Sequence, residues 1–151
     1  GSDTLLAGRP GLVEPKDAWE YALSVDGWGA RVYQHMPGAA PKRQGLLPVK
    51  TSAANASFEV LVPRGLLRGS PDSWRLAVAV MGRGPSGEQG GVPSPMPVLA
   101  EPGPSQFGGA TKAAPPYIDL LLPPGGRQAQ ALGVYKQDRD AVLPFIGAET
   151  E

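Results

Sequence analysis

Few side chains in this 151-residue chain are equipped for bond-making chemistry. Histidine occurs once, as His35, and cysteine not at all. A Ser-His-Asp relay would have to use His35, and no Gly-x-Ser-x-Gly elbow occurs to present a serine. The lack of cysteine removes disulfides, thiolate zinc sites and cysteine nucleophiles together. Glu20, Asp26, Glu59 and Asp119 are the carboxylates that could pair for glycoside hydrolysis. Their spacing gives no reason to bring any two to the separation that reaction needs. Gly82-Arg83-Gly84-Pro85-Ser86-Gly87 lacks the Lys-Ser/Thr pair and following helix of a phosphate loop. No Asp-x-Asp-x-Asp run marks a calcium loop. The sequence assigns no catalytic residue and no metal ligand.

Aromatic residues remain as the chemical lead. Flat rings stack on the apolar faces of sugar rings, and polar neighbours then fix orientation through hydrogen bonds. Trp28, Tyr33 and Arg31 form such a group and are the candidate carbohydrate contacts. Trp19, Tyr21 and Trp74 are in phase with aliphatic neighbours and are expected in the core.

The element that must position these residues is a hairpin. Trp19, Tyr21, Leu23 and Val25 alternate with Glu20, Ala22 and Ser24, which predicts a strand with one apolar face. Asp26-Gly27 supplies a turn pair, and the chain returns through residues 30–35. Residues 1–18 read as an irregular lead-in, and residues 36–48 as a loop broken by Pro37, Gly38, Pro41, Gly45 and Pro48. Strands are expected from Val49 to Ala53 and from Ser57 to Val62, joined at Asn55-Ala56 and closed by Pro63. Residues 64–68 suggest one helical turn. Trp74 to Met81 reads as a central strand covered on both faces. Residues 82–116 form a long Gly/Pro-rich loop. Tyr117–Leu122 reads as a buried strand, residues 126–135 as a weak helix, and residues 141–144 as a short strand or tail. These segments predict an all-β protein, an antiparallel β-sandwich or jelly roll with one short C-terminal helix.

Bulk properties fit one domain of this kind. Lys plus Arg and Asp plus Glu both number 14, so the formal charge is zero and nothing favours nucleic acid or an anionic surface as partner. Gly (21) and Pro (18) make up about a quarter of the chain, but they punctuate patterned apolar runs, as turns do. No run approaches the ~18 apolar residues of a membrane span. The chain opens on Gly1-Ser2 without a Met or a leader, which reads as the interior of a longer product or a cloning scar.

The runs WEYALSVDGWGARVY, FEVLVPRGLL, SWRLAVAVMG, PPYIDLLLPPGGRQAQAL and AVLPFIG stand in an order that resembles the C-terminal binding module of glucodextranase. Similar modules occur in amylopullulanase-like and other extracellular proteins. The resemblance covers about residues 4–148. It implies a DOMON-like sandwich related to family-nine carbohydrate-binding modules, described as surface-layer-homology-like. It also implies a non-catalytic, extracellular or cell-surface accessory module, with a catalytic domain upstream in the parent chain. The expected partner is a polysaccharide, an α-glucan or cell-wall glycan. The alternative is a cell-envelope anchor or protein-interaction module with no affinity for soluble sugar. Two departures stand out. The acidic Gly-rich opening of the type Asp-Pro-x-Gly-Asp is absent, so the chain resembles the C-terminal two-thirds of one module, with an apolar face or strand edge left open. No cofactor is expected, since calcium in such modules would belong to that opening. The loop after Met81 also departs from the tighter, aromatic-bearing loop of relatives.

Overall fold

The computed structural model describes residues 6, 11–27, 29–89, 92–110, 117–133 and 142–147. Contacts divide the chain into two compact units, Trp19–Ser70 with the first two residues, and Asp3–Ala18 with Pro71–Glu151. Over the described residues the protein is mostly β with one short α-helix. Among the described residues the strands form five small antiparallel sheets, one of three strands and four of two, and none closes into a barrel. No helix among them is long and apolar enough to cross a membrane.

The first unit is built on the expected hairpin. Strand β1 (Tyr21–Asp26) pairs with β2 (Gly29–Met36), and β3 (Ala39–Leu47) adds to the far side of β2. Asp26 pairs directly with Gly29, so the turn begins at Gly27 and not at Asp26. Cross-strand partners share a face. Leu23–Val32–Gly45 and Val25–Ala30–Leu47 therefore line one side, and Ala22–Tyr33–Arg43 and Ser24–Arg31–Leu46 the other. Val32 and Ala30 are fully buried on the first side, where Val49, Val60, Val62, Leu66 and Leu67 pack against them. Leu23 and Val25 lie on the outer strand of the three and stay about 40% exposed at the rim of this core.

β3 replaces the expected loop over residues 36–48. Two features let a Pro- and Gly-containing segment join the ladder. Pro37-Gly38 makes the hairpin turn, with Gly38 at φ 71°, the left-handed conformation that a type II turn needs after its proline. The register then slips twice, between Gln34 and Met36 and between Val32 and Tyr33. Pro41 falls in the first slip, where no ladder donor is needed, and Gln44 is the extra residue of the second. The displaced Gln44 side chain donates to Gln34 Oε1 at 2.6 Å. The β4 (Val49–Ser52) and β5 (Ser57–Val60) hairpin follows, with Ala56 at φ 47° in its turn. Phe58 shares the Val60 face but extends past the core and is 63% exposed.

In the second unit the expected central strand divides. β6 (Arg75–Leu76) pairs with β11 (Ile146–Gly147), and β7 (Ala79–Val80) pairs with β10 (Asp119–Leu120). Its inward face carries Ala77, Ala79 and Met81, while Leu76, Val78 and Val80 are 45–49% exposed, so only one face is covered. Small residues face inward because the opposite side is filled by Tyr117, Leu120, Leu143 and Phe145, leaving no volume for longer chains. Trp74 is half-buried rather than core, whereas Trp19 is buried as expected.

The helix α1 (Gln128–Gly133) sets Ala131 and Leu132 against the same cluster. The Gln128 amide clasps the Leu120 backbone, donating to its carbonyl and accepting from its N–H. The Gly/Pro-rich segment carries a hairpin of β8 (Arg83–Gln89) and β9 (Val92–Pro95). Just before it, the edge of the Phe107 ring lies against Gly82, so a Cβ there would require the ring to move.

A buried and an exposed residue on the core side of the first unit make a direct comparison. Val32→Ala is expected to cost about 2 to 3 kcal/mol in urea unfolding, whereas Phe58→Ala costs less than about 0.5 kcal/mol.

Candidate functional site

The three sequence-predicted contact residues belong to the first hairpin. Trp28 lies outside the described residues. Arg31 and Tyr33 project from the β2 face opposite Val32. Arg31 Nη1 donates to the Asp26 carboxylate at 2.8 Å, and the two side chains are only 13% and 11% exposed. This charge-assisted pair ties the base of the turn to the returning strand. Tyr33 is 3% exposed, so its ring packs within the protein. Trp19 and His35 meet edge-on, with ring centroids 6.0 Å apart and planes at 74°. The lone histidine is thus a packing partner at the strand end, supported by its own N–H donating to the Glu20 carbonyl at 2.8 Å.

The carboxylates weighed from sequence are dispersed. Glu20 and Glu59 are exposed, Asp26 is held by Arg31, and Asp119 accepts from the Leu120 N–H at 2.9 Å. Among the described residues no group of three His, Asp or Glu side chains gathers as a metal site.

Sequence reading missed a cleft in the second unit. A 3-10 turn (Pro15–Asp17) brings Glu14, Lys16 and Asp17 to one wall, Arg75 stands at the start of β6, and residues 142–145 form the other wall. The cleft is open to solvent, with a volume of about 320 Å³. The Arg75 guanidinium donates through one nitrogen to the Asp17 carboxylate and through the other to the Phe145 carbonyl at 2.9 Å. Asp17 is nearly buried, its side chain 6% exposed, while Lys16 and Glu14 pair at 2.7 Å in solvent. The hydrogen bond from Lys16 and the Lys16 charge hold the Glu14 carboxyl below its ordinary value, and Glu14 raises Lys16 in turn. The Glu-Pro-Lys-Asp run was a visible charge cluster. Its partner Arg75 lies 58 residues from Asp17, beyond any local pattern.

Comparison with known families now bears on both units. The family described as the C-terminal binding-module, SLH-like, of glucodextranase matches residues 2–145. The chain belongs to that family. The glucodextranase-module match spans the hairpin, the cleft and both compact units. No curated protein and no solved structure matches the chain.

Removing one member of the Asp26–Arg31 pair leaves the other charge poorly solvated. Asp26→Ala is expected to lower unfolding free energy by about 3 kcal/mol, measured by urea titration. The joint Asp26→Ala/Arg31→Met variant is expected to recover more than half of that loss.

Proposed function

We propose that this chain is a non-catalytic carbohydrate-binding module of a secreted glycoside hydrolase-type protein. Its expected ligand is an α-glucan or a cell-surface polysaccharide, and its place is extracellular or at the cell surface, beside an upstream catalytic domain. Membership of the glucodextranase binding-module family over residues 2–145 carries this reading. The enzyme's name points to a dextran-type glucan as the first polymer to test. In this reading the small sheets are parts of one β-sandwich module.

Neither carboxylate of the cleft is set up as a general acid. A glycosidase needs a carboxylic acid that keeps its proton near neutral pH. Glu14 shifts the opposite way, and Asp17 is committed to Arg75. On the hairpin, Trp28 is the proposed stacking platform. Arg31, paired with Asp26, and Tyr33, which is 3% exposed, complete the proposed group on β2.

A second reading is favoured by the SLH-like description of the family. The module would then hold its parent at the cell envelope without affinity for soluble sugar.

Native affinity electrophoresis separates the two. Dextran, pullulan or soluble starch in the gel is expected to retard the protein, and Trp28→Ala to abolish most of that retardation. Sedimentation with purified cell walls, together with unaltered mobility on all three glucans, would favour the anchor instead. Product analysis on the same glucans is expected to show no hydrolysis.

A further inference from the structure

We propose that the cleft between residues 14–17, Arg75 and residues 142–145 is a second glycan subsite, and that it takes a neutral hexopyranose unit. The proposal rests on the glycan-binding reading, and it concerns a part of the chain apart from the hairpin residues.

Size and surface chemistry argue for it. A cleft of about 320 Å³ lies at the small end of ligand sites, which run from roughly 300 to 1,000 Å³, and suits a sugar unit or two rather than a folded partner. One wall is the run from Val142 to Phe145, in which Val142 is exposed, Pro144 and Phe145 are half-buried, and Leu143 is buried in the core that Phe145 also packs against. The exposed aliphatic part of this wall, Val142 with Pro144, suits the C–H face of a pyranose ring. The facing wall carries two cations and two anions. An anionic ligand would meet Glu14 and Asp17, and a cationic one Lys16 and Arg75. A neutral polyol suffers neither repulsion, because each hydroxyl both donates and accepts and can use charges of either sign.

The cleft is also held in shape before any ligand arrives. Arg75 links the turn at Asp17 to the Phe145 backbone, so both walls are fixed to one side chain. A preformed site spares the ligand the entropy of ordering it. At the mouth the Glu14–Lys16 pair is more than half exposed and can exchange solvent for sugar hydroxyls.

The charges persist across ordinary pH. Lys16, with a smaller contribution from Arg75, holds Glu14 below its ordinary 4.5, and Glu14, with help from Asp17, raises Lys16 above 10.5 against a small opposing effect of Arg75. A depressed carboxyl keeps its charge above its own lowered value and loses it only as pH falls through that value. Glycan binding is therefore expected to be flat from about pH 5 to about pH 9, and to fall in stronger acid as Glu14 protonates and in stronger base as Lys16 loses its proton.

The test uses the full chain in affinity gels with dextran, pullulan and soluble starch. Two variants probe the cleft, Phe145→Leu and the joint Glu14→Gln/Lys16→Gln. The latter changes exposed groups only, so it decides the matter if Phe145→Leu melts early. Each is expected to weaken retardation by about fivefold to tenfold while the joint variant keeps its thermal midpoint. Retardation equal to wild type in the joint variant would overturn the cleft and leave the glycan reading standing. Wild-type protein that no glucan retards would overturn that reading, and the cleft with it. Stronger retardation by alginate, a polyuronate, than by dextran would overturn the neutral ligand.

Discussion

In the unit that carries the cleft, the rest of the arrangement depends on one guanidinium. Arg75 reaches a carboxylate 58 residues before it and a carbonyl 70 residues after it, so one side chain joins the lead-in segment, β6 and the C-terminal run. Strands of two residues cannot supply this by ladder bonds alone, since each sheet here has only a few pairs. Arginine suits the task because its planar fork offers several donors in fixed directions and stays charged at any working pH. Nearby pairings support the same closure: Leu12 bridges to Val142, and the Leu143 N–H donates to the Leu12 carbonyl at 3.0 Å.

The other unit is organised by packing against β2. Val32 and Ala30 have no exposed surface, and the aliphatic residues of β4, β5 and the following turn converge on them. On the opposite face Tyr33 is buried and Arg31 nearly so, while Arg43 and Leu46 are exposed, and the Asp26–Arg31 pair closes the turn end. Each face of this hairpin thus has its own means of support, apolar volume on one side and a charge-assisted hydrogen bond on the other.

Much of the first unit was legible in the sequence because its signals are local. Alternation from Trp19 to Val25, the glycine after Asp26 and the stop at Pro63 place β1, β2, β4 and β5 within a residue or two. β3 was hidden because Pro41 and Gly45 are ordinarily strand breakers, and only a register slip makes them compatible with pairing. The Trp74–Met81 segment shows a different limit. Alternation fixes which residues share a face but not which face is inward. Hydrophobicity favours Leu76, Val78 and Val80, while the available volume selects Ala77, Ala79 and Met81. The hairpin residues Arg31 and Tyr33 were legible as members of the returning strand, but their burial depends on partners that no spacing encodes. The cleft was illegible for the same reason, since its walls come from three distant parts of the chain.

The β8–β9 hairpin has a consequence for its own outer edge. The Met96 N–H donates to the Gly82 carbonyl at 2.7 Å, so even-numbered positions of this strand point their backbone nitrogens toward β8. Pro93 and Pro95 then hold the alternate positions, which face outward. A two-stranded sheet ordinarily presents a free edge that can recruit a strand from another molecule. The β9 side of this one offers no N–H at those two positions, so a further strand would find two donors fewer there. The prolines that made the segment look structureless are thus compatible with pairing on one side of β9 and unfavourable to it on the other.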